Sequence, residues 1–138
     1  MGTGAMPSFS KVSHISFSAT DAEASAAWWT RVFGLTELDR TAGDGWKAVL
    51  LIDQPTATII ELQQHDRNGG EQFDPARTGF DHMGFKVDDV DALADWEAHF
   101  ARLGVVHTPT VHREYGSVLT FKDPDGIQFE MFHRDGHP

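Results

Sequence analysis

The segment His14-Ile15-Ser16-Phe17 is repeated 68 residues later as His82-Met83-Gly84-Phe85. In both copies the apolar residues alternate with the histidine and a small residue, which is the period of a β-strand with two different faces. Each histidine therefore points away from the apolar side of its strand. A strand that recurs with the same polar side chain at its start indicates that the chain consists of two related halves.

Two other pairs of residues recur at almost the same interval. Glu61 and Glu130 lie in apolar runs and are 69 residues apart, while Gly34 and Gly104 follow aromatic-rich helical runs and are 70 apart. Three pairs at nearly one period predict an internal duplication. Two pseudo-equivalent halves can bring two histidines and two carboxylates to one centre, which is a chemically sensible metal site.

Length and composition limit the kind of protein this is. With 138 residues, of which 40% are hydrophobic, the chain can bury one core of ordinary size. We therefore expect a flexible tail at 1–10 and a single domain at 11–138, built from two modules (11–65 and 80–134) that are joined by a loop. Because the chain has no cysteine, disulfides, thiolate nucleophiles and zinc–thiolate sites are excluded. Any metal must be held by imidazole and oxygen.

The charge of the chain bears on its partners. The formal net charge of −10 repels phosphate backbones, and the lysines and arginines are scattered, so we expect no nucleic-acid partner. Residues 1–7 carry neither a basic cluster nor a long apolar run. We therefore expect no signal peptide, no membrane anchor and a cytoplasmic location.

In the first half, periodicity and capping residues predict a strand, a helix and three more strands. The first strand covers 11–17, and Thr20 can cap the helix that follows, with Glu23 as the reciprocal partner. The helix is expected at 22–33, where Gly34 supplies the stop. Three strands are expected near 38–41, at 46–52 and at 56–62.

The second half predicts the same order of elements. A strand at 82–87 precedes a helix that Asp88 or Asp89 can cap and that ends near Leu103. Three strands are expected at 107–110, 117–122 and 127–133, and a turn at 123–126 joins the last two. Each half is therefore βαβββ, and the predicted fold class is α+β.

The repeated polar residues are the candidate metal ligands: His14, Glu61, His82 and Glu130. If the strands of both modules curl around one cleft, these side chains can meet there. Carboxylates that converge repel each other and lose solvation, and a divalent cation removes that cost. Two nitrogen and two carboxylate-oxygen ligands suit Ni²⁺, Zn²⁺, Co²⁺, Fe²⁺ or Mn²⁺ rather than Ca²⁺. Such a metal can polarise a carbonyl or hydroxyl while a glutamate moves a proton.

Several further residues are weaker candidates for contact with a small-molecule substrate. Trp46 lies outside the helices and is a candidate for lining the cleft, and His112, Arg113 and Tyr115 lie in a predicted loop before a cleft strand. The histidines that have no counterpart in the repeat are expected to be surface or loop residues, namely His65, His107, His112, His133 and His137.

Two segments resemble the vicinal oxygen chelate superfamily, which groups glyoxalases, bleomycin-resistance proteins and extradiol dioxygenases. Residues 28–35 are similar to the helix-end motif of that family and residues 123–130 to its last hairpin, within a resemblance that spans roughly 12–133. The resemblance implies two βαβββ modules that form a curved mixed sheet around a cleft. It also implies metal ligands in the first and last strands of each module, at His14, Glu61, His82 and Glu130, and a homodimer, in which modules are sometimes exchanged between chains.

Retention of all four ligand-type residues resembles glyoxalase I, in which the glutamate in the place of Glu130 is the principal proton carrier. We therefore expect a metal-dependent lyase, isomerase or epimerase that acts on a small oxygenated metabolite, with Glu130 as its base. Ser18 stands where glyoxalase I has an arginine that binds the thiol conjugate, and Trp28-Trp29 replaces an aromatic pair that ends in tyrosine. These departures argue against a glutathione conjugate as substrate.

Two alternatives stay open at the level of sequence. An extradiol dioxygenase resembles this chain at His14, His82 and Glu130 but leaves the fourth coordination position open, so that Glu61 argues mildly against it. A non-catalytic binding protein of the bleomycin-resistance type sequesters a cationic drug in an acidic groove. The charge of −10 and the four tryptophans suit that function, whereas four retained ligand-type residues count against it.

Overall fold

A computed structural model describes residues 4–138. Residues 4–10 contain no helix or strand and are exposed, and the first three residues of the predicted tail lie outside the described part of the chain. Ten elements follow, in the order β1 (Ile15–Ser18), α1 (Ala22–Phe33), β2 (Thr36–Gly43), β3 (Trp46–Asp53), β4 (Thr58–His65), β5 (Met83–Lys86), α2 (Val90–Leu103), β6 (Val111–Arg113), β7 (Gly116–Lys122) and β8 (Gln128–His133).

The strands form two four-stranded mixed sheets with the same topology. The first sheet has the order β1-β4-β3-β2 and the second β5-β8-β7-β6. In each, the first strand of the half pairs in parallel with the last, and the other pairs are antiparallel. The predicted α+β class with a repeated βαβββ order is confirmed. Neither helix in residues 4–138 is long and apolar enough to cross a membrane.

Helix α1 has the predicted bounds but a different cap. The Asp21 side chain accepts a hydrogen bond from the Ala24 backbone N–H at 3.1 Å and is therefore the N-cap. The prediction that Thr20 caps this helix is wrong, because its hydroxyl donates to Asp125 of the second module at 2.6 Å. Gly34 ends the helix in the left-handed conformation, with φ of 69°.

In the second half, the capping prediction holds and one strand prediction is wrong. Asp89 caps α2 by accepting from the Ala92 backbone N–H at 2.8 Å. The strand expected at 107–110 is reduced to a single bridge between His107 and Phe121, and β6 begins only at Val111. Pro109 lacks the N–H that a continuing ladder requires.

Aromatic side chains of both modules share one buried core. The rings of Phe17 and Phe129 lie 5.2 Å apart, and Trp29 of α1 contacts Phe129 at 5.0 Å. Phe33, also from α1, lies 5.3 Å from Phe85 and 5.5 Å from Phe121. Because Trp29, Phe121 and Phe129 have no exposed surface, helix α1 joins the two sheets through well-packed side chains.

Each sheet has one face toward this core and one face away from it, which we call its outer face. In β1, Phe17 lies in the core, so Ser16 lies on the outer face, opposite Glu61 in the strand register. In β8, Phe129 and Met131 lie in the core, so Glu130 lies on the outer face. The predicted ligands therefore lie on the outer faces, as the alternation around His14, His82 and Glu130 indicates. Around Glu61 the alternation of the sequence is weaker, because Ile59 and Ile60 are both apolar.

The predicted turn at 123–126 closes the last hairpin around a buried carboxylate. The Gly126 backbone N–H donates to the Asp123 carbonyl at 3.0 Å, and Asp123 Oδ1 accepts from the backbone N–H groups of Asp125 and Ile127, both at 2.9 Å. Asp123 is only 6% exposed and its Oδ2 has no hydrogen-bond partner. This burial raises the pKa of Asp123 to about 6, from a usual value of 3.8.

The substitution Asp123→Asn tests this buried carboxylate through the pH dependence of stability. Between pH 3.8 and 6 the folded protein holds a proton on Asp123 that the unfolded chain releases, so this group stabilises the fold at low pH and loses that effect as pH rises. Relative to the wild type, the asparagine variant should therefore gain up to about 3 kcal/mol of unfolding free energy between pH 4 and 7. Urea unfolding of both proteins at each pH measures this difference, and a difference that does not change with pH would contradict the expectation.

Candidate metal site

The second outer face brings His82 and Glu130 together. His82 directly precedes β5, and its Nε2 lies 3.7 Å from Glu130 Oε1. Gly84 is opposite Glu130 in the register of β5 and β8, and a Cβ there would come within 3.5 Å of the carboxylate. A Cβ at this distance would make only an ordinary van der Waals contact, so the glycine means that no side chain of β5 touches Glu130 from this register position. The Glu130 side chain is 22% exposed, so its carboxylate stays accessible to a ligand.

The other ring nitrogen of His82 has a carboxylate partner. Nδ1 of His82 lies 2.7 Å from Oδ1 of Asp81. A neutral imidazole that donates Nδ1–H to Asp81 presents a lone pair on Nε2, on the side of Glu130. Histidines that bind metals in proteins usually donate their other ring N–H to a carboxylate, a backbone carbonyl or a water, and Asp81 is positioned to be such a partner. Asp81 was not identified from the sequence, although an acidic residue next to a candidate ligand was a visible signal.

The first outer face holds His14 and Glu61 in a different local arrangement. Nδ1 of His14 lies 2.9 Å from the hydroxyl of Ser13. The Ser16 hydroxyl donates to Glu61 Oε1 at 2.7 Å, from the strand position that corresponds to Gly84 in the second module. Ser16 therefore orients the Glu61 carboxylate and occupies one of its lone pairs.

One chain does not bring the four predicted ligands to a single centre. Within residues 4–138, no group of three or more histidines, aspartates and glutamates is close enough to hold a metal ion. The His82–Glu130 pair lies on the second sheet and the other two residues lie on the first, with the shared core between the core faces of both. The four-ligand centre stays a prediction.

Trp46 lies on the first outer face but far along the sheet from Glu61. Its position alternates with those of the core residues Val49 and Leu51, so its side chain lies on the outer face. Trp46 is opposite His65 in β4. His65 is four residues after Glu61, which corresponds to about 13 Å along a strand. Its indole covers the backbone of Gly43, where any Cβ would overlap the ring. The predicted role of Trp46 in lining a cleft is compatible with this face and stays a prediction.

The three residues expected in a loop before a cleft strand are placed differently from one another. His112 and Arg113 belong to β6 rather than to a loop, which corrects that expectation. His112 Nδ1 lies 2.7 Å from the hydroxyl of Ser117, whose side chain is buried on the core face, so this bond lies on the side of the sheet away from Glu130. Tyr115 stacks on Phe132, which shares the outer face with Glu130.

His137, expected to be a surface or loop residue, lies in a cavity of about 420 Å³ that Glu130 also lines. The segment after β8 turns back over the second outer face and carries this histidine there. No repeat or spacing in the sequence signals this placement, because the first half has no equivalent residue.

Residues 11–131 match the family model of the Glyoxalase/Bleomycin resistance protein/Dioxygenase superfamily. The chain belongs to this superfamily. It is 35% identical to a glyoxylase/bleomycin resistance protein/dioxygenase domain from Frankia sp. EAN1pec, with a TM-score of 0.84 over 94% of this chain and 96% of that one. It is 30% identical to the protein YaeR of Escherichia coli, over 90% of this chain and 96% of that protein.

Two further relatives carry names that concern chemistry. MhqA of Bacillus subtilis, whose name proposes a ring-cleaving dioxygenase, is 30% identical over 103 residues, and this chain spans 33% of its length. The fosfomycin resistance protein FosX from Listeria monocytogenes has a TM-score of 0.67 at 20% identity, over 91% of this chain and 90% of that one. That FosX structure contains Mn(II) and a dihydroxypropylphosphonic acid, so at least one protein of this fold binds a divalent metal and a small anion.

Proposed function

We propose that this protein is a metal-dependent enzyme of the glyoxalase type, which moves a proton on a small oxygenated metabolite by isomerase, epimerase or lyase chemistry. One divalent transition metal is bound by His14, Glu61, His82 and Glu130. The arrangement of His82 carries the proposal, because Asp81 fixes one ring nitrogen while the other faces the Glu130 carboxylate.

The residues present fit such a metal. Imidazole nitrogen and carboxylate oxygen suit Ni²⁺, Zn²⁺, Co²⁺, Fe²⁺ and Mn²⁺. His14 and His82 are exposed and Glu61 and Glu130 are half-buried, so solvent reaches all four residues. Gly84 places no side chain against Glu130, and Ser16 holds Glu61 in one orientation. When it is bound, the metal supplies positive charge that polarises a substrate oxygen.

Two chains are needed to complete the site, so we infer a homodimer. Both sheets direct their core faces at one shared aromatic core, and the outer faces therefore lie on the far sides of their sheets. The pair His14 and Glu61 of one chain then meets the pair His82 and Glu130 of a second chain. By two-fold symmetry a dimer holds two equivalent sites, each with one half-site from either subunit.

In this site Glu130 is the base. Its carboxylate has no hydrogen-bond donor from the strand opposite, where Gly84 stands, whereas the carboxylate of Glu61 is engaged by Ser16. A carboxylate that is free on one side can accept a proton from a carbon next to a carbonyl and return it to a neighbouring atom. Glu61 stays in place as the oriented partner.

A ring-cleaving dioxygenase is the second candidate function, and the Ser16–Glu61 hydrogen bond favours it. If that bond removes Glu61 from the coordination sphere, three protein ligands remain, and the fourth position is open for dioxygen chemistry. The likeness to MhqA over 103 residues agrees with this function.

Asp81→Asn should weaken metal binding without changing the fold. An asparagine at this position removes the charge that orients His82 and makes it a better ligand, so the affinity for Mn²⁺ should fall by about 10- to 100-fold. Isothermal titration of the purified protein with Mn²⁺ measures this loss. Asp88→Asn is the matched control, since Asp88 lies beyond the end of β5 and should leave the affinity within about twofold. Equal affinities in both variants would remove the basis for His82 as a ligand.

Mixed dimers test whether each site is shared between chains. A His14→Ala/Glu61→Ala variant lacks the first half-site, a His82→Ala/Glu130→Ala variant lacks the second, and neither alone should bind Mn²⁺ tightly. When they are mixed, unfolded and refolded together, each heterodimer regains one intact site, so about a quarter of the wild-type metal content should return. If no metal returns while heterodimers form, sites shared between chains are excluded.

Glu130→Gln separates proton transfer from binding. In D₂O, the Mn²⁺-loaded wild type should speed the exchange of C–H protons beside the carbonyl of small hydroxyketones and 2-oxo acids, which proton NMR follows. The glutamine variant cannot take the proton, and its exchange rate should fall by at least about 100-fold. Glu114→Gln, a substitution in the turn after β6, is the control for general effects of charge. An unchanged rate in Glu130→Gln would show that another group is the base.

Glu61→Ala distinguishes the two candidate functions. In the glyoxalase type the variant loses one of four ligands, and the Mn²⁺ affinity should fall by at least about tenfold. In a dioxygenase the affinity for Fe²⁺ should change little, and the wild type should consume oxygen when catechol is added to the Fe²⁺-loaded protein. An oxygen electrode and metal titration of both proteins decide between these outcomes.

A further inference from the structure

The chain beyond β8 folds back onto the second outer face. In this terminal segment, residues 134–138, the His137 backbone N–H donates to the Arg134 carbonyl at 3.2 Å, and Gly136 adopts a φ of 69°, which closes the turn. The His137 ring then packs edge-on against Phe132, with ring centroids 5.6 Å apart. Because Phe132 is two residues after Glu130 in β8, the terminal segment lies on the face that carries the candidate metal ligands.

His137 and Glu130 line the same cavity, together with Gly84, Lys86, Phe132 and Pro138. Lys86 and His137 bring a cationic and an imidazole group to its wall. Lys86 takes part in none of the salt bridges of the described chain. Glu130 and Lys86 carry the charged side chains of this cavity besides the His137 imidazole, so a metal that offsets the Glu130 carboxylate leaves the Lys86 ammonium available to an anion.

One polar atom beside this cavity has no partner. Nδ1 of His137 is buried and makes no hydrogen bond within residues 4–138. Buried polar atoms in native proteins are nearly always paired, so this imidazole nitrogen is available to a water or to a ligand that approaches it. Within residues 4–138, the terminal segment is held by this turn, by the packing of His137 on Phe132 and by a 3.1 Å hydrogen bond between His133 Nε2 and Asp135 Oδ1. A small movement of this segment would let a ligand in the cavity reach the imidazole.

The first module has no counterpart of this segment. After β4 the chain turns toward the β2–β3 hairpin, where the Asp66 backbone N–H donates to the Gly45 carbonyl at 2.9 Å. The chain that follows β4 therefore leaves the sheet near Gly45 and does not return over Glu61 as residues 134–138 return over the second outer face. The duplication accounts for the four candidate metal ligands, whereas the terminal segment adds an imidazole, that of His137, to the second half-site alone.

We propose that the terminal segment forms one wall of the substrate site, and that His137 and Lys86 bind an oxyanion, a carboxylate or phosphonate group, of the metal-bound substrate. This inference rests on the proposed function and narrows its substrate class to small hydroxy or oxo compounds that carry an anionic group. Charge-assisted hydrogen bonds from an ammonium or imidazole suit both kinds of oxyanion. A cationic ligand would meet Lys86 unfavourably.

The test measures binding to the Mn²⁺-loaded dimer by isothermal titration with glycolate, methylphosphonate and neutral ethylene glycol. The variants His137→Ala and Lys86→Ala should each lower the affinity for both anions by about tenfold and leave that for ethylene glycol unchanged. If the two variants lose more affinity for one anion than for the other, the oxyanion of that ligand, carboxylate in glycolate or phosphonate in methylphosphonate, is the one that the cavity prefers. Lys47→Ala is the matched control and should change nothing, because Lys47 follows Trp46 in β3 and is an exposed lysine on the opposite side of the sheet.

Two further substitutions separate hydrogen bonding from packing. His137→Phe keeps an aromatic ring against Phe132 but has no polar atom, so it should lose affinity as His137→Ala does. His137→Gln restores a hydrogen-bond donor and should recover part of it. If the wild type binds Mn²⁺ and glycolate, and both His137→Ala and His137→Phe bind glycolate within twofold of it, the role of the terminal segment is overturned while the proposed function stands. A wild type that binds no Mn²⁺ overturns both.

Discussion

The shared aromatic core is the constraint on which the rest of the structure depends. Trp29 and Phe33 of α1 reach across from the first module to Phe85, Phe121 and Phe129 of the second. Burial of several large rings contributes far more to stability than any polar contact between the modules, at roughly 25 cal/mol for each Å² of apolar surface removed from water. That contribution fixes which faces of the sheets meet, and it keeps the two polar outer faces apart from each other in one chain.

The placement of the charges follows from this constraint. In a single chain, Glu61 and Glu130 lie on separate, partly solvated faces, so the two carboxylates do not come close enough to repel each other strongly. Bringing the two faces together removes water from both carboxylates and both imidazoles, which is unfavourable unless a cation is bound between them. Dimer formation and metal binding are therefore expected to favour each other, since each lowers the cost of the other.

The alternation of side chains and the residues that end helices correctly predicted which way strand residues face and where the helices stop. The alternation in β1 and β8 placed Ser16 and Glu130 on outer faces, whereas Ile59 and Ile60 weaken the alternation around Glu61 in β4. Gly34 and Gly104 end both helices in left-handed conformations. The N-cap of α1 could not be chosen from the sequence, because threonine and aspartate are both residue types that cap helices. The hydrogen-bond partner of Thr20 is Asp125, 105 residues away, and no local pattern reports that contact. The packing of one module against the other depends on contacts between distant aromatic residues, which periodicity does not report.

The two half-sites share the repeated histidine and glutamate but differ in the residues around them. The histidine and glutamate recur, but the residue opposite the glutamate has become Ser16 in one half and Gly84 in the other. A hydroxyl donor restrains Glu61, whereas Gly84 presents no side chain to Glu130, and the terminal segment approaches only the second pair. In the proposed site, the base needs a carboxylate that no other hydrogen-bond donor engages, and Glu130 meets this condition better than Glu61, which accepts from Ser16. The asymmetry around the repeated residues therefore supports the proposed choice of Glu130 over Glu61 as the base.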